Sequence, residues 1–156
     1  MPNWLYLFTN LTYHLGLAIW VGGTIALGAL TAPALFRALP RPQAGSIFGP
    51  ILRRFARLRV LALAAALVSA AVKYVFWETG GTLWISLRWA ALLVMAASLV
   101  YEIGFLERAL EARRVHLTPE MPENDPRRVE FNALHKRAEG LMKASLLAAL
   151  LAMLLS

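Results

Sequence analysis

The side chain best suited to chemistry in this sequence is the imidazole of His14, which lies in an apolar run without a charged residue between positions 4 and 36. An ionisable group is costly in hydrocarbon, so one in such a run usually faces other helices or a wet cavity and often has a function. A neutral imidazole can ligate a haem iron or a copper ion, and it can also carry a proton. The alternative is an ordinary hydrogen bond between His14 and a neighbouring helix.

Two further residues are predicted at the depth of His14 in a membrane. Counted from the N-terminus at about 1.5 Å per residue, His14 lies roughly 20 Å deep. Met95 lies equally deep when counted from the start of the third apolar run, and Lys143 when counted from the C-terminus. The three side chains are therefore expected to meet, with Met95 as a soft ligand and Lys143 facing an anionic group such as a haem propionate. The alternatives are an ion pair between Lys143 and Glu139, and simple packing for Met95.

A second pair of polar residues, Glu102 and His135, is predicted near the inner boundary of the membrane. Both lie roughly 30 Å below the outer surface by the same count. They are candidates for a proton relay, and the alternative is an ordinary hydrogen-bonded pair. Because His14 and His135 differ in depth by more than a helical turn, a single ion held by both imidazoles is disfavoured.

Lys73 and Arg88 are predicted near the outer surface, beside an aromatic belt of Trp77, Trp84 and Trp89. Long basic side chains at such positions can extend from the apolar layer to the lipid head groups. Both residues are therefore expected to anchor helix ends in the interface.

The composition excludes a soluble protein. Hydrophobic residues make up 59% of the chain and charged residues 16%, whereas soluble domains are about 45–50% apolar and about 25% charged. The absence of cysteine rules out disulfides, thiolate ligands and cysteine catalysis. No glycine-rich phosphate loop, HExxH motif or GxSxG motif occurs, so the common soluble enzyme classes have no support.

The formal net charge of +7 comes largely from arginines that stand beside apolar runs. This placement indicates anionic lipid head groups as the partner and argues against nucleic acid. Basic residues gather in the connections around 37–59 and 107–128, whereas the connection around residue 80 has none. Such residues usually lie on the cytoplasmic side, so both termini are expected outside, in a bacterial cytoplasmic membrane. The first apolar run lacks a basic leader and is expected to be retained in the mature protein.

Hydropathy and helix breakers predict one domain, residues 1–156, with four membrane-spanning helices at about 4–36, 60–77, 83–114 and 127–155. A basic amphipathic helix at about 51–59 is expected to lie in the interface, and residues 115–126 are expected to form a cytoplasmic loop. The predicted fold class is therefore all-α, an antiparallel four-transmembrane-helix bundle. The small residues Ala18, Gly22 and Ala26 share the face of His14 and are expected to form the packing face of the first helix.

Three segments of the chain resemble a bacterial family of four-helix membrane proteins that has no established activity. They are His14-x5-Trp20-x2-Gly23, Ala32-Pro-Ala-Leu-Phe36 and Phe131-Asn-Ala-Leu-His135. Eukaryotic relatives of that family are small transmembrane proteins linked to platinum-drug resistance.

The first helix is also remotely similar to copper-resistance D-type domains and to HemJ-type protoporphyrinogen oxidases. In HemJ-like proteins such a helix supplies a histidine to haem b. This resemblance implies that role for His14 and places Trp20 among the candidate cofactor-binding residues. The arginine that follows the proline in those oxidases is Ala34 here, which argues against porphyrinogen oxidation.

The leading hypothesis from the sequence is a membrane protein that holds haem b, or copper, within the bundle through His14, for electron transfer or cofactor handling. If it is an enzyme, the expected class is a membrane haem-dependent oxidoreductase. The alternative is a non-catalytic membrane scaffold or transporter subunit without a cofactor, whose polar residues fasten helices together. A second copy of the chain or another membrane subunit is the protein partner considered in either case.

Overall fold

The described residues are all helical or connecting, and they form four long helices. The computed structural model describes residues 3–78, 80–114, 118, 121–122 and 124–156. The helices are α1 (Asn3–Ala38), α2 (Arg41–Phe76), α3 (Leu83–Arg114) and α4 (Pro126–Leu154). The first three are long and apolar enough to cross a membrane. These helices confirm the all-α class and fit an integral membrane protein.

Local sequence signals explain where the helices begin and turn. The Thr82 hydroxyl accepts a hydrogen bond from the Ile85 backbone at the start of α3. The Asp125 carboxylate accepts one from the Arg127 backbone at the start of α4. Both are typical N-cap contacts, which satisfy amide groups that the first helical turn leaves without partners. Gly80, in the predicted reversal between α2 and α3, has a φ of +90° that favours glycine.

Pro33 does not end the first helix. A proline lacks an N–H and leaves the carbonyl four residues earlier without its regular partner. A π-helical turn, Ala26–Thr31, precedes Pro33, and the Thr31 hydroxyl donates to the Ala26 carbonyl at 2.9 Å. Such local adjustments provide backbone groups with new partners in apolar helices. The helix therefore continues to Ala38.

The predicted separate interfacial helix at 51–59 is wrong. The structure has one continuous helix from Arg41 to Phe76, with Pro50 inside it. Pro40 and Pro42 flank the start of this helix, where a missing N–H breaks no intrahelical bond. Pro50 removes only one backbone hydrogen bond, and the apolar and alanine-rich sequence on its C-terminal side carries the helix onward.

The four helices pack in a ring, in which the contact between α2 and α3 is the least extensive. α1 makes its most extensive contact with α2 and also contacts α4, while α4 packs along α3. The start of α1 and the α2–α3 turn meet at one end, as shown by the edge contact between Tyr6 and Trp77, and the end of α4 lies toward the same end, where Ser156 contacts His14. We call this the termini end. The opposite end, where Gly45 approaches Arg114, is called the basic end. There Arg113 donates to Glu130 at 2.6 Å, and this hydrogen bond lowers the pKa of the Glu130 carboxyl.

The packing face of α1 differs from the predicted one. Ala18, Gly22 and Ala26 are exposed, and a side chain at Gly22 would meet nothing within 4 Å. The buried face of α1 also has a helical repeat, but it is displaced by about one residue from the predicted face. It consists of Tyr13, Gly16, Leu17, Trp20 and Thr24. Large side chains on this face fill the core, so the prediction from small residues alone was wrong. His14 consequently lies at the edge of the buried face and is half-buried.

Gly16 permits the closest approach between α1 and α2. A Cβ added at Gly16 would lie 2.5 Å from the Ala62 carbonyl oxygen. We therefore predict that Gly16→Ala lowers the free energy of unfolding by about 1–3 kcal/mol, because the helices must move apart. The measurement is denaturant unfolding of the purified protein in detergent micelles.

The matched control is Gly22→Ala on the same helix. Its added methyl group meets open space, and alanine favours a helix over glycine by about 0.5–1 kcal/mol. Its stability should equal or exceed that of the unmodified protein. Equal effects of the two substitutions would contradict the observed packing of α1 on α2.

Candidate functional site

A buried ion pair between α2 and α3 lies at the centre of the bundle. Arg59, close to the midpoint of α2, donates from Nη2 to Glu102 Oε1 at 2.5 Å. The Arg59 side chain is 4% exposed and that of Glu102 is 25% exposed. The guanidinium carbon lies 5.2 Å from the Trp20 ring centre and 5.3 Å from that of Phe55. We call these four residues the central site.

The central site joins three helices through one cation. Trp20 belongs to α1, Phe55 and Arg59 to α2, and Glu102 to α3. Glu102 is also the first residue of a π-helical turn, Glu102–Leu106. Turns of this kind are frequent at functional sites because they change the direction of side chains within a helix. Two charges taken from water are tolerated only when they are closely paired and hydrogen-bonded.

Two buried donors of the central site, and a third on the same face of α1, have no hydrogen-bond partner among the described residues. Within the described part of the chain, Trp20 Nε1, Arg59 Nε and Thr24 Oγ1 are buried without a hydrogen bond. Thr24 lies one turn after Trp20 on the buried face of α1. Unpaired buried polar groups are rare, and each requires an explanation such as a bound water or ion. The site can therefore supply hydrogen-bond donors to a small polar species.

A second polar cluster lies at the termini end. Lys73 Nζ donates to Asn10 Oδ1 at 3.1 Å and lies 5.2 Å from the Tyr13 ring centre. Arg88 donates to both carboxylate oxygens of Glu78 at 2.6 and 2.5 Å. We call these five residues the termini-end cluster. It shows that cations at this end are held by specific partners from other segments.

Lys73 and Arg88 do not extend toward the lipid head groups, as the predicted anchoring in the interface requires, but bind partners inside the bundle. Their exposed fractions are 4% and 2%. Sequence reasoning missed their partners because Asn10, which lies 63 positions from Lys73, is an ordinary polar residue in an apolar run. Glu78 gave a clearer signal, since it stands ten positions before Arg88 across a glycine turn.

The structure places His14 beside the C-terminus. His14 Nε2 and Ser156 Oγ are hydrogen-bonded at 3.0 Å, and the imidazole edge contacts Tyr13 with ring centres 5.5 Å apart. The neighbouring Tyr13 hydroxyl donates to the Ala152 carbonyl at 2.8 Å. These contacts tie α1 to the end of α4, which matches the structural alternative for His14, a hydrogen bond to a neighbouring helix.

Lys143 does not reach His14. Met142, the residue before Lys143, lies beside Gly28, where an added Cβ would be 3.3 Å from the Met142 methyl carbon. Gly28 is fourteen positions from His14, or about 20 Å along the helix. The predicted common depth assumed that both termini start at one surface, whereas Ser156 is level with His14, eleven positions into α1. Lys143 is exposed.

Met95 and Trp20 are both fully buried in the apolar core. Among the residues that the structure describes, no three His, Asp or Glu side chains are close enough to hold a metal ion together. Because Lys143 lies far from His14 along the bundle, the structure does not assemble the predicted set of His14, Met95 and Lys143. Haem or copper binding through His14 has no support from the described residues and stays a prediction. Trp20 contacts the Arg59 cation instead.

Glu102 and His135 also have separate partners. Glu102 pairs with Arg59, while His135 Nε2 lies 3.4 Å from Glu139 Oε1 and its ring stacks on Phe131. From the Arg113–Glu130 contact, position 102 lies opposite about position 141, some 9 Å along the axis from His135. The structure does not join the two residues in a direct relay.

We predict that Glu102→Gln lowers the free energy of unfolding by about 3 kcal/mol, because it leaves the Arg59 charge buried without its counter-ion. The double variant Arg59→Met with Glu102→Gln should recover most of this loss, since it removes both charges. Denaturant unfolding in micelles measures the three proteins and the unmodified chain as a double-mutant cycle.

Glu111→Gln is the control on the same helix. Glu111 lies 3.7 Å from Arg53 with both side chains more than half exposed, so its loss should cost less than about 1 kcal/mol. If Glu102→Gln and Glu111→Gln lower the free energy of unfolding equally, the buried Arg59–Glu102 pair matters no more for stability than an exposed ion pair.

Comparison with known proteins supplies a family but no activity. The model of a domain of unknown function, DUF4149, matches residues 15–116, which is more than half of the chain. The match includes the central site and leaves His14, His135 and Lys143 outside. No curated protein and no solved structure matches the chain. A relationship to the platinum-resistance, copper-resistance or HemJ-type proteins stays a prediction. The chain thus belongs to the DUF4149 family, whose function is unknown.

Proposed function

We propose that the chain is an integral membrane protein with four membrane-spanning helices that serves as a non-catalytic scaffold or subunit of a larger membrane assembly. The observation that carries this proposal is the pairing of its buried cations. Among the described residues, Arg59, Lys73 and Arg88 are the buried basic residues, and each has a partner from another helix or turn. Such groups fasten helices to one another, which is the role expected of polar residues in a scaffold.

The outward faces of all four helices support the membrane setting. Large apolar side chains are more than 60% exposed along each helix, among them Leu11, Leu61, Leu93 and Leu147. A soluble monomer rarely exposes apolar patches of this extent. The second half of α4, from Leu141 onward, is apolar apart from Lys143 and Ser145, and it buries Ser145, Ala148, Ala149 and Ala152. α4 is therefore proposed as the fourth span, with its charged first half outside the hydrocarbon.

The two ends of the bundle support an orientation. The basic end carries Arg37 and Arg41, and Arg53, Arg54 and Arg57 follow along α2 toward its midpoint; all five are exposed. At the termini end the cations Lys73 and Arg88 are buried and paired. The basic end is proposed to face the cytoplasm and its anionic lipid head groups, with both termini outside.

Single cysteines test this topology, because the chain has none of its own. Gly81→Cys lies in the turn at the termini end, and Ser46→Cys lies near the basic end; both positions are exposed. A membrane-impermeant maleimide should label Gly81→Cys on intact cells and Ser46→Cys only after permeabilisation. Labelling of both positions on intact cells, or the reverse pattern, would overturn the proposed orientation.

An absorption spectrum separates the scaffold from the haem protein that the sequence suggested. The scaffold proposal predicts no Soret band and no bound copper in protein purified from haem-replete cells. It also predicts that His14→Ala changes only stability, by about 1 kcal/mol for the lost contact with Ser156. A Soret band that disappears in His14→Ala would contradict the scaffold proposal and show haem binding that depends on His14.

A transport role is the second candidate, and the unpaired donors of the central site favour it. Trp20 Nε1, Thr24 Oγ1 and Arg59 Nε could hold a small polar species deep in the bundle. Ionisable residues inside membrane helices often mark ion or proton pathways. Proteoliposomes with an internal pH dye distinguish the two functions. If the protein is a scaffold, the proton flux into these proteoliposomes equals that into liposomes without protein. If a pathway runs through the central site, the proton flux is higher, and the double variant Arg59→Met with Glu102→Gln abolishes the increase.

A further inference from the structure

An open cavity of about 820 Å³ lies at the basic end, where all four helices contribute to its wall. The residues that matter most for its chemistry are Phe36 of α1, Arg41 and Phe48 of α2, Arg114 of α3, and Arg128 and Phe131 of α4. Ligand pockets in proteins usually measure about 300–1,000 Å³. The cavity is therefore large enough for an organic ligand and much larger than a single small ion.

The charges around the cavity favour an anion. Among the described residues, three guanidinium groups line it, against the one carboxylate of Glu111. That carboxylate also lies 3.7 Å from Arg53, outside the cavity. Arg114 is held against the α2 backbone, since a Cβ added at Gly45 would lie 2.9 Å from its Nη2. One nitrogen of Arg128 already donates to the Met121 carbonyl, which leaves its other N–H groups free of that bond. Planar guanidinium groups suit the tetrahedral oxygens of a phosphate.

The aromatic residues of the cavity favour a ligand that also has an apolar part. Phe36 and Phe48 contact each other edge to face, with ring centres 6.2 Å apart. Phe131 stacks on His135 on the opposite wall, with ring centres 6.3 Å apart. Free phosphate would leave these rings in contact with water, whereas a phosphate attached to glycerol and acyl chains would cover them.

The position of the cavity indicates where such a ligand comes from. It lies at the basic end, which the proposed orientation places on the side of the cytoplasmic head groups. We propose that it binds the head group of an anionic phospholipid from the adjacent leaflet, with the phosphate on Arg41, Arg114 and Arg128 and the glycerol and ester region on the three phenylalanines. This inference rests on the proposed membrane setting and adds a specific lipid site to a generally basic surface.

The test uses the full chain in detergent and three probes: short-chain phosphatidylglycerol, short-chain phosphatidylcholine and inorganic phosphate. Native mass spectrometry or calorimetry gives the dissociation constants. Phosphatidylglycerol should bind at least about tenfold more tightly than either other probe, and Arg114→Gln should weaken it by about tenfold or more, the loss of one charge-assisted hydrogen bond. Arg41→Gln is the second variant in case Arg114→Gln does not fold.

Arg108→Gln is the matched control, because Arg108 is an exposed arginine on the same helix that does not line the cavity. It should leave phosphatidylglycerol binding unchanged. Equal losses in Arg108→Gln and Arg114→Gln, or equal binding of the two lipids, would show only a non-specific basic surface and overturn the proposal. Inorganic phosphate that binds as tightly as phosphatidylglycerol would reassign the cavity to a soluble phosphate compound. These outcomes leave the cysteine-labelling pattern unaffected, so failure of the lipid site and failure of the membrane topology are distinguishable.

Discussion

The constraint on which the bundle depends is that a charge removed from water must have a counter-ion. Arg59 and Glu102 satisfy it across α2 and α3, the neighbouring helices that otherwise touch least. A buried pair adds little net stability compared with apolar residues, but losing one partner is costly. The pair therefore specifies which positions of α2 and α3 face each other. Apolar packing alone would define this register weakly, because the contact between α2 and α3 is the least extensive in the ring.

α1 completes this arrangement because it contacts both halves of the ring. Trp20 covers the Arg59 guanidinium, Gly16 lets the α2 backbone approach, and the Tyr13 hydroxyl bonds to the α4 backbone. The two ends then differ in character. Cations are buried and paired at the termini end, while at the basic end arginines surround an open cavity. This asymmetry underlies both the proposed orientation and the proposed lipid site.

Local features of this chain could be predicted from its sequence, whereas contacts between helices could not. Long apolar runs and the glycine reversal at Gly80 depend on neighbouring residues, so the all-α class and the turn could be predicted, whereas the start of α2 could not. The central site joins residues 43 positions apart, and Arg59 looked like the last member of an interfacial arginine series. The depth of His14 was miscounted because the register between α1 and α4 is set by side-chain contacts, which are invisible in hydropathy. Lys143 then appeared level with His14 when it is not.

The most direct test of the central claim is the contact between Arg59 and Glu102 in a lipid bilayer. Solid-state NMR on protein with labelled guanidinium nitrogens and glutamate carboxyl carbons measures their dipolar coupling. The 2.5 Å separation of Arg59 Nη2 and Glu102 Oε1 predicts a strong coupling that is lost in Glu102→Gln, while the couplings of the Arg88–Glu78 and Arg113–Glu130 pairs remain. If Glu102→Gln removes no coupling from well-folded protein, the account is contradicted.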